Sequence, residues 1–197
     1  MSLEKLKVTI ENFRKATLTC ENYVYGSIEK RTTPILLTEI PEIKLSPELE
    51  FLYSNYDFDL TVGNNIDLTR FDKLVNRQHG FATFSVDGGK TQIPDPKWTS
   101  GWTVIADMND DPIVANTNID GTPILAAIEA VDYLEIAASL DIFFQILTEL
   151  IYSSQLHKEN EPDSDEDFEG WIVSFPFLVQ VKSRLFFSIY YEFSQRI

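Results

Sequence analysis

Three short β-prone runs follow one another between Trp102 and Ile128, each closed off by turn-forming residues. Trp102-Thr103-Val104-Ile105-Ala106 and Pro112-Ile113-Val114-Ala115-Asn116 are separated only by Asp107-Met108-Asn109-Asp110-Asp111, a segment rich in residues that tolerate turns. A link this short cannot hold a crossover helix, so the two runs must pair as an antiparallel hairpin. Thr122–Ile128 follows Gly121 as a third strand. The spacing therefore predicts a meander over about 102–128, and with it a twisted, mostly antiparallel sheet whose apolar side the rest of the chain must cover.

The flanks supply the cover. Leu3, Leu6, Ile10 and Phe13 recur at helical spacing, predicting an amphipathic helix over 3–16. Tyr23–Ile28 is short and β-prone. Ser46-Pro47-Glu48-Leu49-Glu50 is a helix start: Ser46 can cap, Pro47 loses no needed N–H, and the acids face the positive end of the dipole. Phe58–Val62 alternates like a strand and stops at Gly63-Asn64-Asn65. Leu68, Phe71, Leu74 and Val75 predict a short helix ended by Gly80, and the proline-bearing run 90–101 reads as a loop. Leu140, Phe143, Phe144, Leu147, Leu150 and Ile151 trace the buried face of a helix from about Ile136. Beyond it, 157–170 reads as a polar loop and Pro176 as the start of a last helix, although alternation from Trp171 to Val181 leaves a strand open there. The fold class expected is α+β, with helices packed around the sheet, residues 1–152 forming one domain and 153–197 extending it.

With 197 residues, 44% of them hydrophobic, the chain can bury a core without staples. A single cysteine, Cys20, excludes an internal disulfide framework and a multi-cysteine zinc site. The N-terminal residues lack the apolar run of a signal peptide, and no segment has the roughly eighteen uninterrupted apolar residues of a membrane span. A cytoplasmic protein is expected. Net charge is −15, which repels nucleic acid and anionic membranes and speeds the encounter with basic proteins. The charge is unevenly placed: Trp98–His157 contains no Lys or Arg, and residues 101–150 hold nine acids. Seven more, Glu159, Glu161, Asp163, Asp165, Glu166, Asp167 and Glu169, follow in the acidic loop.

Chemistry-bearing motifs are scarce. Asp107-x-Asn109-x-Asp111 is similar to the opening of a calcium loop, but Pro112 stands where the sharp turn needs glycine and Asn118 where the bidentate glutamate belongs. A hairpin turn explains the same residues. His79 and His157 are far apart in sequence and have no ligand spacing around them, and His79 before Gly80 suits a helix C-terminus. Cys20 reads as a buried thiol. Val86-Asp87-Gly88-Gly89-Lys90-Thr91 is a tight turn rather than a phosphate loop, and among 31 acids some carboxylate pairs arise by chance. No catalytic residue, metal ligand or cofactor is expected. Trp102 suits the sheet core, whereas Trp98, in a proline-rich loop, suits an interface anchor.

The order of these parts resembles the SUKH superfamily, which includes the yeast Smi/Knr cell-wall regulators and many bacterial immunity proteins. Leu45-Ser46-Pro47-Glu48-Leu49-Glu50-Phe51-Leu52 resembles its proline-initiated helix, and Leu74-Val75-Asn76-Arg77-Gln78-His79-Gly80-Phe81 its L-x-x-x-Q-x-G-Y/F segment. The run from Trp98 to Asn116 is similar to its tryptophan, W-x-V-I-x-D and G-D-P pieces, Gly121-Thr122-Pro123-Ile124 to its G-x-x-V-Y strand, and Ile136–Phe144 to its I-A-x-S-F-x-x-F-L helix start. The likeness covers about residues 40–150. Asp110 replaces the glycine expected before Asp111, so any positive φ in that turn would fall to Asn109, and Asn116 replaces an acid. The resemblance implies a non-catalytic binding module: an immunity-type protein that neutralises a cognate, basic toxin such as a nuclease, or else a regulatory scaffold of the cell-wall and glucan-synthesis type. An enzyme with an unrecognised acidic site is the remaining alternative. Charge and aromatic placement together nominate a partner-binding face made of Trp98, Asp107, Asn109, Asp110, Asp111, Asn116 and Asp120, extended by the acidic loop at 159–169.

Overall fold

Leu6, Ile10, Phe13 and Ala16 are all fully buried, and the helix that their spacing predicts runs Leu3–Thr19 (α1). The structure is a computed structural model that describes residues 3–19, 23–35, 37, 43–63, 66–89, 91–128 and 132–159. The second helix, Pro47–Asn55 (α2), begins as its sequence dictates: the Ser46 side chain accepts the Leu49 N–H at 3.2 Å, and Pro47 occupies the first turn. Its start is also tied across the molecule. The Thr122 hydroxyl hydrogen-bonds with that of Ser46 (2.6 Å) and with the Glu48 carboxylate (3.0 Å), all three residues being buried.

Seven strands form one antiparallel sheet, in the order Val24–Lys30 (β1), Tyr56–Val62 (β2), Ile66–Leu68 (β3), Trp102–Met108 (β6), Asp111–Asn116 (β7), Ile124–Ile128 (β8) and Asp132–Ala137 (β9). Between β3 and β6 the chain makes a single helical turn, Leu74–Arg77 (α3), and a separate two-stranded hairpin, Thr83–Val86 (β4) with Thr91–Pro94 (β5). The expected meander is present as β6-β7-β8, and the α+β class holds. Helix Leu140–Glu159 (α4) closes the described chain, with the Ser139 hydroxyl accepting the Ile142 N–H at 3.2 Å.

Four expectations are corrected. Residues 132–137 pair with β8 as a strand, so the last described helix starts at Leu140 and not near Ile136. Leu68 belongs to β3 rather than to a helix with Phe71 and Leu74. The run 90–101 is not all loop, since Thr91–Pro94 pairs with β4, and an edge strand tolerates the proline because its missing N–H is not needed. Finally, Asn109 and Asp110 both take positive φ (53° and 68°), forming the two-residue turn whose twist suits a hairpin, so Asp110 shares the strain that was expected of Asn109 alone.

The main core lies on one face of the sheet. Leu6, Ile10 and Phe13 of α1, Leu49, Leu52 and Tyr53 of α2, and Leu140, Phe143, Phe144 and Leu147 of α4 meet Phe58, Leu60, Ile113, Ala115, Ile124 and Ala126 from the strands. Phe13 and Phe144 pack edge to face, 5.1 Å between ring centres. Each of the larger of these buried side chains, the leucines, isoleucines and phenylalanines, contributes about 1.5–3 kcal/mol. Asp141, fully buried at the start of α4, joins that helix to α1 by accepting from the Thr9 hydroxyl (2.5 Å) and pairing with Lys5 (2.7 Å). No helix among the described residues is long and apolar enough to cross a membrane. The expected polar loop at 157–170 is helical at its start, because α4 runs on to Glu159; the rest of that loop, the expected last helix, the strand alternative at 171–181 and the remainder of the 153–197 extension lie outside the described residues.

Candidate protein-binding site

Alternation along the central strands sends a second set of side chains to the face away from the main core. The register pairs Trp102 with Asn116, Val104 with Val114, Asp107 with Pro112, and Ala127 with Tyr133. Val104, Val114 and Ala127 are fully buried although they stand outside the main core cluster. This second, smaller layer carries the features that set the chain apart from a plain sheet-and-helix domain.

Its edge is finished by side chains. The short β3 ends opposite Ala106, and the Thr69 N–H then donates to the Ile105 carbonyl at 2.8 Å. At Val104 no strand remains to pair. The buried Gln78 amide takes its place: Gln78 Oε1 accepts the Val104 N–H (2.9 Å) while Nε2 donates to the Val104 carbonyl (3.0 Å) and to that of Leu74 (2.8 Å). Its neighbour Arg77 forms an ion pair with Asp107, whose side chain is only 8% exposed. Asp107 is thus removed from the nominated exposed face, because its carboxylate is buried and answered within the chain.

Trp98, Trp102 and Tyr133 form the aromatic centre of the layer. Ring centres lie 5.6 Å apart for Trp98 and Trp102, 6.0 Å for Trp98 and Tyr133, and 4.7 Å for Trp102 and Tyr133. The Trp98 ring stands nearly perpendicular to the other two, at 87° and 86°, the edge-to-face arrangement that aromatic quadrupoles favour. All three residues are half-buried, so the cluster is reached by solvent. The Trp98 indole N–H donates to the Trp102 carbonyl at 3.2 Å, whereas the buried indole N–H of Trp102 meets no acceptor among the described residues. Burial, then the charges of Asp95 and Asp111, raise the pKa of the Tyr133 hydroxyl, which keeps it protonated.

A hydrogen-bonded turn holds Trp98 in place. Asp95 Oδ1 accepts the Lys97 N–H (2.8 Å), the Trp98 N–H donates to the Asp95 carbonyl (3.0 Å), and the Trp102 N–H donates to that of Thr99 (3.1 Å). From the other side, the Thr117 N–H and hydroxyl both donate to the Gly101 carbonyl at 2.8 Å. Asn118 lies across the turn, donating to the Ser100 carbonyl (2.6 Å) and accepting from Lys44 Nζ (2.7 Å). Gly101 has φ 82°, and a Cβ there would overlap the Asn118 amide. Gly101→Ala is therefore expected to cost about 1–3 kcal/mol of stability in urea unfolding and to change the tryptophan emission of the folded protein. A variant with both quantities unchanged would show that this turn does not position the rings.

The nominated residues divide. Trp98 packs on Tyr133, while Asp111 stands half-buried at the start of β7. Asn109 and Asp110 are exposed at the tip of the hairpin, while Asn116 and the exposed Asp120 lie toward the opposite end of β7, which spans about 17 Å at ~3.3 Å per residue. Asn116 is occupied locally, its Oδ1 accepting the Asn118 N–H at 3.3 Å. Glu159 ends α4, and Glu161, Asp163, Asp165, Glu166, Asp167 and Glu169 lie outside the described residues. Asp95 and Tyr133 were missed. The period-2 pattern of 132–137 could have placed Tyr133 on a strand, but nothing in the sequence places that strand's residues beside Trp98. Among the described residues no group of three or more His, Cys, Asp or Glu side chains could hold a metal ion. Comparison with protein-family models, curated proteins and solved structures yields no significant match.

Proposed function

We propose that this chain is a non-catalytic protein-binding module of the immunity type, which neutralises a basic toxin, such as a nuclease, by covering it. The observation that carries the reading is the half-exposed Trp98–Trp102–Tyr133 cluster, with Asp95 in the turn before it and its three rings in the stretch Trp98–His157, which has no Lys or Arg. Aromatic anchors in the middle of a contact supply affinity, and surrounding carboxylates supply encounter rate and partner choice. The resemblance to SUKH immunity proteins supports the same reading, as does the net charge of −15. A nuclease active site is cationic because it must hold phosphate, so an acidic cover suits it. On this reading the module works in the cytoplasm, where it meets the toxin before nucleic acid does.

The product of the gene adjacent to this one supplies the test. Produced alone it should arrest growth, and co-production of this chain should relieve the arrest through a stable complex. The Asp110/Asp111/Asp120→Asn variant should associate about tenfold more slowly at low salt, with a shallower dependence on salt. No toxicity and no complex would remove the immunity reading, whereas a complex whose rate ignores both salt and the triple substitution would remove its electrostatic form.

A further inference from the structure

We infer that the Trp98–Trp102–Tyr133 cluster, with Asp95 in the turn beside it, is a receptor for an arginine side chain presented by the partner protein. The inference rests on the proposed binding function and names the group that the face takes. Three aromatic rings within 4.7–6.0 Å of one another, the Trp98 ring perpendicular to both others, offer a ring face next to a ring edge rather than a flat apolar patch. A planar guanidinium lies flat against such a face and keeps its five N–H groups in the ring plane, free to fork onto a carboxylate. A carboxylate is at hand: Asp95 begins the turn that carries Trp98.

Lysine fits the same place less well. Its ammonium is more strongly hydrated, and it has no plane to stack and no fork to match a carboxylate. The turn is built for a fixed pose, since its backbone and side-chain bonds hold the Trp98 ring before any partner arrives. A rigid receptor loses little conformational freedom on binding, which favours one well-fitted side chain over a diffuse basic surface.

The test uses the full chain with two peptides of equal charge, four arginines spaced by glycine and four lysines spaced likewise, at low ionic strength. Calorimetry should give the arginine peptide at least a fivefold tighter Kd. In a nitrogen-proton spectrum the arginine peptide should shift the indole N–H signals of Trp98 and Trp102. Trp98→Leu and Tyr133→Leu, each first shown to be folded by its unfolding midpoint, should abolish the arginine preference while leaving lysine-peptide binding within twofold. Equal affinity for the two peptides, or unmoved indole signals in the unaltered protein, would overturn the inference and leave the acidic-face reading standing. An arginine preference that survives both substitutions would also overturn it, by placing the receptor elsewhere. If neither peptide bound at low salt, the inference and the acidic face would both fall.

Discussion

Arg77→Met should lower the unfolding free energy by about 3–5 kcal/mol, because it leaves the Asp107 carboxylate buried with no cation to answer it. That is a large share of the ~5–15 kcal/mol a domain of this size has in total. The loss belongs to the orphaned charge and not to the value of the pair, so removing the charge as well should recover most of it. The double variant Arg77→Met/Asp107→Leu is expected to unfold within about 1 kcal/mol of the original protein, since a buried pair and an apolar replacement are often close in free energy. The four members of this cycle, compared by urea unfolding, give the coupling directly. A single-variant loss below ~1 kcal/mol would mean that water reaches Asp107 in place of Arg77.

Gln78→Ala should be nearly as damaging. It strips partners from the N–H and carbonyl of Val104, a residue with no exposed surface, and an orphaned buried backbone group costs about 1–3 kcal/mol. A total of about 2–5 kcal/mol is expected, together with faster hydrogen exchange at the Val104 amide. Gln78→Glu separates loss of shape from loss of donors. A carboxylate can still accept from the Val104 N–H but would turn a negative charge on the Val104 carbonyl. It should be at least as destabilised as the alanine variant at neutral pH. Acidification should return part of its stability, because the carboxyl's folded-state pKa would stand above its unfolded value and the neutral acid can donate once. A glutamate variant as stable as the original at pH 7 would refute the strand-substitute role of Gln78.

The parts of this fold that were legible in the sequence are those in which local and global signals agree. Ser46-Pro47-Glu48 announced α2 because cap, first-turn proline and dipole all point the same way. The β6–β8 meander was legible because its links are too short for anything but hairpins. What failed to show has a physical cause in each case. β3 is three residues long, too short to display a period. In β9 the register shifts between Ile124 and Leu125 on its partner, and that irregularity breaks the alternation just where Ile136 appears to open a helix. Ser139-Leu140-Asp141 carries the same cap logic as Ser46-Pro47-Glu48 and would have set the boundary correctly. β4 and β5 were hidden by Pro94, which reads as a breaker but is harmless on an edge. The candidate site was half legible. Trp98 stood out by its setting, but Asp107 reads as part of the same acidic turn until Arg77, thirty positions earlier, is seen against it. Tyr133 joins the cluster only through the order of the strands in space.

The Gln78 amide has a further consequence. Because a side chain and not another strand completes the edge of β6 at Val104, the chain from His79 to Gly101 leaves the main ladder and rejoins it without contributing a rung. The β4–β5 hairpin is in effect a loop inserted into a finished sheet, with Phe84 and Ile93 paired across it, both about 40% exposed. Its sequence and length can change while the core residues and the register stay as they are. Were the proposed binding role to require change, this segment would accept substitutions at the smallest cost to folding. Its junction with the Trp98 turn would carry each change directly to the aromatic cluster.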